Sequence, residues 1–227
     1  MNRLIEDTSL RDRVHVFSDR NEAGRLLARK LTPYKESDSM IFGIPSGGVP
    51  VASEIAKALS LPLDLIIVRK IQIPYNPEAG FGAVGPDGRV IFNEILLNRL
   101  NLTDDEIREQ VKNTMDMIQK RNHLFRGDRP YPQLKGKTVI LVDDGLASGY
   151  TMLSAVRFIK SHGPEKIVVA VPTASKRTID YIIPETDELL CLNVRTGFSF
   201  AVADAYTNWY DLTDKEVLDI LKKAWTT

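Results

Sequence analysis

Two adjacent carboxylates, Asp143 and Asp144, stand directly after a run of four apolar residues at 139–142. Gly145, Leu146, Ala147, Ser148, Gly149, Tyr150 and Thr151 follow, and the chain then reads as a helix. Gly149 lets the backbone turn tightly and approach a ligand closely. The helix N-terminus aims unpaired N–H groups at the same place, and the hydroxyls of Ser148 and Thr151 add donors. Together these make an anion site suited to phosphate. Two negative charges beside such a site repel the anion, so something must offset them. Ribose hydroxyls donate hydrogen bonds to carboxylates, and a divalent metal neutralises charge. A ligand carrying phosphate, ribose and metal together meets all three demands. No Gly-Lys-Ser/Thr follows and no Gly-x-Gly-x-x-Gly occurs here, which excludes a Walker loop and a dinucleotide fingerprint at this point.

The elements around these residues predict how they are held. GIPSGGVPVA at 43–52 is a second turn between an apolar run at 40–44 and a helix, with bare backbone at Gly47 and Gly48. A strand is expected at 63–70, a long Pro- and Gly-rich loop at 71–88 and a short strand at 89–93. The longest helix runs over 103–126: Thr103 and Glu106 form a capping box, and Ile107, Val111, Met115 and Ile118 an apolar stripe. An earlier helix opens at Ser18 or Asp19, with Ala23, Leu26, Leu27 and Leu31 at helical spacing. Strand and helix continue to alternate after 138, and Thr213 with Glu216 caps a closing helix. Such alternation favours a parallel sheet covered on both faces, with ligands beyond the carboxyl ends of its strands.

A chain of 227 residues suits one domain, here 1–227, and balanced charge with 43% hydrophobic residues predicts a folded globule. No uniform basic field points to nucleic acid as a partner. Cys191 is the single cysteine, which excludes a disulfide framework or a cysteine-built zinc cluster within the chain. His15, His123 and His162 show no ligand spacing. The opening stretch MNRLIEDTSLRDR has no apolar core, and no apolar run approaches the ~18 residues that span a bilayer. A cytoplasmic protein without a membrane partner is expected, and a homodimer is the expected assembly.

VILVDDGLASGYT resembles the phosphoribosyl-pyrophosphate signature of type I phosphoribosyltransferases, with Gly145 standing where an aliphatic residue is commoner. The resemblance extends, with less specific motifs, over about residues 20–220. It implies a type I phosphoribosyltransferase fold: a central, mostly parallel sheet flanked by helices, a small hood from segments near both ends, and the long helix as an insertion at about 101–130. It implies transfer of ribose 5-phosphate from phosphoribosyl pyrophosphate to a nitrogen acceptor, a nucleobase or related heterocycle, within nucleotide metabolism. Asp143 and Asp144 would hold the ribose hydroxyls, and the backbone at 146–151 the 5-phosphate. Mg²⁺ would be bound mainly through substrate, without a direct protein ligand. The loop with Ser46, Gly47 and Gly48 would meet the pyrophosphate, although an arginine is expected where Ser46 stands. Arg69 and Lys70 would bring cations near the pyrophosphate, simple solvation being the other reading. The loop at 71–85 would be a mobile lid whose Glu78 is a candidate catalytic acid or base beside Asp143 and Asp144. Arg126 and Arg129 either reach a phosphate or acidic substrate or lie on the surface. Phe198 and Phe200 would stack the acceptor, core packing being the other reading. The alternative function is a non-catalytic regulator that senses phosphoribosyl pyrophosphate on the same fold.

Ala147 occupies the position at which hypoxanthine-guanine enzymes of this family carry an aspartate for a base proton, and alanine does no proton chemistry. Hypoxanthine and guanine are therefore expected to be poor acceptors, since a site that hydrogen-bonds a substrate group can discriminate by ~10⁴-fold and an apolar one discriminates weakly. Phe200→Ala should raise the KM of the acceptor more than that of phosphoribosyl pyrophosphate. Steady-state kinetics over an acceptor panel checks both, and guanine turnover equal to that of the best heterocycle would refute the reading of Ala147.

Overall fold

The computed structural model describes residues 3–225, apart from the side chains of residues 77 and 78. In chain order its strands are β1 (Arg3–Glu6), β2 (Ser39–Gly43), β3 (Leu63–Leu65), β4 (Arg69–Ile73), β5 (Asn76–Val84), β6 (Val90–Phe92), β7 (Thr138–Val142), β8 (Lys166–Ser175) and β9 (Glu188–Arg195). Its helices are α1 (Arg20–Lys30), α2 (Gly48–Leu59), α3 (Glu94–Leu100), α4 (Asp104–Arg126), α5 (Tyr150–Lys160), α6 (Lys176–Ile182) and α7 (Asp214–Trp225). The main sheet has six strands in the order β1-β9-β8-β7-β2-β3, all parallel. Its central strands carry runs of buried apolar residues because both faces are covered. Along β7, Val139 and Leu141 join the core under α5, whereas Ile140 and Val142 join the core under α1 and α2. That is the two-residue period of a strand buried on both sides.

A second sheet, β4-β5-β6, is antiparallel and lies against α4 and α7 over a third core that includes Ile71, Phe81, Ile118, Phe125 and Leu221. Two expectations fail here. The strand expected at 63–70 ends at Leu65; residues 66–68 are buried while crossing between the sheets, and Arg69 begins the other sheet. The loop expected at 71–88 is mostly a hairpin of β4 and β5. Gly80 and Gly82 are strand residues: a Cβ on Gly82 would lie 2.5 Å from the carbonyl oxygen of Ile91 on the neighbouring strand. Glycine in such a strand marks close backbone approach rather than a break. Strand β1 has no apolar run to announce it and reads as polar, yet it pairs with β9 as an edge strand.

The capping boxes form as expected. In the first, Glu106 N donates to Thr103 Oγ1 at 3.3 Å and Thr103 N to Glu106 Oε2 at 2.8 Å. Ile118 is buried and Ile107 and Val111 are partly so, whereas Met115 is about one-third exposed. Arg126 fits neither expected role. It is fully buried, donates from Nε and Nη2 to the two carboxylate oxygens of Asp64 at 2.9 Å each, and lies 3.8 Å over the Tyr131 ring. Arg129 lies on the Trp225 ring at 4.1 Å. Both pin the end of α4 to the body of the protein.

Arg126→Met should cost roughly 3–5 kcal/mol, because removing one partner leaves the carboxylate of Asp64 unpaired in a largely buried position. Urea unfolding measures it, and a loss below about 1 kcal/mol would show that this clamp does not hold α4.

Candidate functional site

The turns after β2 and β7 lie side by side because these strands are neighbours, with Gly43 opposite Val142 and Ile44 N donating to Val142 O at 2.9 Å. Each turn feeds a helix whose N-cap is glycine: Gly47 for α2 and Gly149 for α5, neither with a side-chain cap. The other five described α-helices carry side-chain caps, from Asp19, Asn93, Thr103, Ser175 and Thr213. The first N–H groups of α5 have no intrahelical acceptor, which suits an anion; α2 closes its own start, with Gly48 N donating to Ile44 O at 3.0 Å, Val49 N to Ser46 O at 3.2 Å, and Pro50 carrying no N–H. Glycine is required on the β2 side. A Cβ on Gly47 would lie 1.9 Å from Asp144 Oδ2, and one on Gly48 2.9 Å from the Asp143 Cα. The Pro45–Ser46 peptide is cis.

Asp143 and Asp144 are thus wedged between two turns. Asp144 N donates to Asp143 Oδ1 at 2.8 Å. Burial raises the pKa of Asp143 well above the ordinary carboxylate range, and the charge of Asp144 raises it further. Burial also raises Asp144, opposed by the Arg20 guanidinium, whose Nε donates to Asp144 Oδ2 at 2.9 Å. Arg20 is itself buried, stacks 4.0 Å from the Trp209 ring centroid and donates from Nη1 to Tyr210 O at 2.9 Å. The Tyr206 hydroxyl donates to Asp144 O at 2.6 Å, and burial pushes its pKa well up. The pair is therefore held from below by segments near both ends of the chain, which run together where Phe17 N donates to Ala205 O at 3.0 Å and Thr207 N to Phe17 O at 2.8 Å. Arg20, Tyr206 and Trp209 escaped the sequence reading. One signal was present: a cation at the first position of a helix opposes the helix dipole, so Arg20 needs an acid partner elsewhere.

Along the β7 turn, Leu146 is buried in the core and its N–H is taken by Thr173 O at 2.9 Å, which leaves donors to residues 147–151. Gly145 answers to Val202, whose Cγ1 would lie 2.6 Å from a Cβ there. Gly149 has φ +82°, and a Cβ would meet Thr178 Cγ2 at 2.7 Å. Thr178 also donates to Ala147 O, so α6 buttresses the turn. Ala147 and Ser148 are exposed, and Tyr150 and Thr151 are half-buried in the first turn of α5.

Ser46 Oγ accepts from Arg121 Nη2 at 3.0 Å. Arg69 and Lys70 are consecutive on β4 and so face opposite ways. Arg69 is half-buried near Arg121 and Asp214, and Lys70 is exposed. Glu78 belongs to β5 by its backbone, and its side chain lies outside the described residues. Phe198 stands fully exposed; Phe200 is half-buried, two residues before the Val202 that covers Gly145.

Residues 84–200 match the family model described as a phosphoribosyl transferase domain. That span includes β7, the two acids and the turn to α5, but starts after Arg20 and the β2 turn. Over 209 residues, 92% of this chain, the sequence is 36% identical to proteins of two Mycobacterium tuberculosis strains, each named "Putative phosphoribosyl transferase". The match covers 47% of each, so the chain spans about half the length of the curated relatives it matches. The crystal structure of TT1426 from Thermus thermophilus is 36% identical, with a TM-score of 0.72 over 91% of this chain and 98% of that one. A hypothetical protein from Neisseria gonorrhoeae with bound ppGpp shares the fold at 18% identity and a TM-score of 0.50, over 98% of both chains.

A carboxyl whose pKa is raised by folding makes the native state bind more protons than the unfolded chain above the unfolded value of about 3.9, so its ionisation lowers stability as pH rises. Asp143→Asn, which keeps an oxygen to accept from Asp144 N–H, should therefore melt at a higher temperature than the native protein at pH 7–8. The gain should vanish as the pH falls toward about 4, where both states carry the proton. Calorimetric melts across that range check this, and equal melting at neutral pH would contradict the strained pair.

Proposed function

The chain belongs to the phosphoribosyl transferase domain family, and we propose that it transfers the ribose 5-phosphate of phosphoribosyl pyrophosphate to a nitrogen acceptor. The bond from the anomeric carbon to pyrophosphate oxygen breaks, a carbon–nitrogen bond forms, and the acceptor nitrogen gives up its proton. The observation that carries this reading is the pair of glycine-capped helix starts, α2 and α5, flanking two half-buried carboxylates at neighbouring strand ends. Few ligands suit an anion cradle, two hydrogen-bond acceptors and a bare glycine turn in one cleft; a ribose with phosphate at one end and pyrophosphate at the other does.

In this assignment the N–H groups at 147–151, with the hydroxyls of Ser148 and Thr151, hold the 5-phosphate. Asp143 and Asp144 accept hydrogen bonds from the ribose hydroxyls, with Arg20 fixing the orientation of Asp144. Their negative charge also favours the positive charge that develops on the sugar as pyrophosphate leaves. The turn of Ser46, Gly47 and Gly48 receives the pyrophosphate. The β4–β5 hairpin, with Lys70 and Glu78, closes over the cleft, and a closing lid excludes water that would compete with the acceptor. Phe198 and Phe200 take the acceptor's ring. Mg²⁺ suits the donors of this site, which are hard oxygens. It would be carried chiefly by the pyrophosphate beside Asp143 and Asp144, and when bound it supplies neutralisation of the leaving group's charge. A cytoplasmic homodimer goes with this function, and among the described residues no helix is long and apolar enough to cross a membrane.

Pyrophosphate release from phosphoribosyl pyrophosphate and Mg²⁺, assayed over a panel of nucleobases and heterocycles, tests the activity. Binding without release under any acceptor would leave the regulator in its place, and absence of binding would remove both. Asp143→Asn combined with Asp144→Asn should weaken phosphoribosyl-pyrophosphate binding by about 1.5–3 kcal/mol for each charged acceptor lost. Gly149→Val should abolish binding of ribose 5-phosphate, since a β-branched side chain resists positive φ and fills the cradle. Titration calorimetry reads both, and native-like affinities would overturn the assignment.

A further inference from the structure

The turn that would receive the pyrophosphate has no charge of its own: residues 43–52 contain no Lys, Arg, Asp or Glu. Gly48 N and Val49 N already donate to Ile44 O and Ser46 O, and Pro50 has no N–H, so the turn is a weak cradle for the most highly charged part of the ligand, and the two acids beside it oppose that group. The structure brings a cation there from elsewhere in the chain. Arg121, near the end of α4, donates from Nη2 to Ser46 Oγ at 3.0 Å and to Asp214 Oδ1 at 2.8 Å. Its guanidinium lies 5.2 Å from the Phe125 ring centroid, which limits where it can swing. Nε and Nη1 carry three further donors. Arg69 belongs to the same group: burial, then the charge of Arg121, lowers its pKa, while Asp214 raises it. Two guanidinium groups thus lie near one carboxylate, which pairs with Arg121, leaving a positive excess beside a helix start that has no side-chain cap.

That carboxylate is a loose partner. Asp214 is the first residue of α7 and its side chain is half exposed, whereas that of Arg121 is about one-fifth exposed. Solvent-exposed ion pairs contribute little, so a polyanion with several charged oxygens can take the guanidinium from Asp214 at small cost. Arginine is suited to this exchange, because its planar fork can hold two phosphate oxygens at once.

We propose that Arg121, delivered by α4, is the cation that binds the pyrophosphate group at the Ser46 turn, and that Asp214 holds it there in the free protein and releases it to the ligand. Resting on the transferase function proposed above, this assigns to α4 a share in binding. It also makes the start of α7 a brake on the affinity for pyrophosphate that leaves the affinity for the sugar phosphate alone.

Calorimetry with the full chain, using Mg²⁺-pyrophosphate and ribose 5-phosphate as separate probes, tests this. Arg121→Gln should weaken pyrophosphate about 10- to 100-fold, the loss of one charge-assisted contact, and change ribose 5-phosphate less than about twofold. Asp214→Asn should tighten pyrophosphate, and Ser46→Arg in the Arg121→Gln background should restore it, which a merely structural Arg121–Ser46 bond would not allow. Equal weakening of both probes, unchanged pyrophosphate binding in Arg121→Gln, or no effect of Asp214→Asn would overturn the proposal. A native protein that binds ribose 5-phosphate but not pyrophosphate would also overturn it while leaving the sugar-phosphate site intact; one that binds neither would remove the transferase function itself.

Discussion

Two carboxylates placed side by side and half-buried are the constraint on which the rest of this structure depends. Asp143 and Asp144 follow β7 without a spacer, so the parallel sheet sends both to one place. Their mutual repulsion and lost hydration must be offset locally. Arg20 offsets one of them directly at 2.9 Å. The dipoles of the two flanking helices add partial positive charge at their starts, and at α5 the first N–H groups are also unpaired. Steric demands follow from the same wedge. The β2 turn must be glycine at 47 and 48 because the acids occupy the space a Cβ would take. Both ends of the chain are drawn in as well, since Arg20 and Tyr206 reach the pair from segments that lie together.

The site was legible to the extent that it is local in sequence. The acids, Gly149, the hydroxyls and the Gly47–Gly48 turn each announce themselves through a backbone requirement or a charge at a strand end. The strand–helix alternation placed them at the edge of a parallel sheet. Arg20, Tyr206, Trp209 and Arg121 were not legible, because each acts through a tertiary contact that no spacing encodes. Arg126 misled for the opposite reason: an arginine beside Gly and Asp reads as surface, and only its contact with Asp64 shows a buried clamp. The β4–β5 hairpin was missed because glycine and proline mark loops statistically, whereas here glycine serves the close approach of paired strands. The departure at Gly145 likewise becomes intelligible only beside Val202.

The turns themselves carry acids and neutral groups, and the cations beside them come from other elements: Arg20 from α1, Arg121 from α4 and Arg69 from the small sheet. A charge built into a turn would be fixed with it. A charge brought by a neighbouring element moves when that element moves, so packing of α4, α7 and the small sheet over their shared core tunes the site from outside it. The Arg126–Asp64 clamp stands at one end of α4 and the Arg121–Ser46 contact about one and a half turns earlier, which ties the position of that guanidinium to the stability of the helix end.

The polar groups of the candidate site are therefore held against one another: Arg20 on Asp144, Arg121 on Ser46 and Asp214, and Asp143 on the backbone N–H of Asp144. These contacts reduce the cost of the unliganded cleft without removing it, since Asp143 stays half-buried beside another acid and the start of α5 stays uncapped. A ligand that donates hydroxyl protons to the acids and offers anionic oxygens to the start of α5 relieves both costs at once. Free energy released this way appears as binding, and by linkage the ligand stabilises the fold by the same amount that the fold favours the ligand. A ligand whose anionic oxygens met the N–H groups at 147–151 would supply the cap that α5 lacks, whereas α2, which also begins at glycine, closes its own start on Ile44 O and Ser46 O.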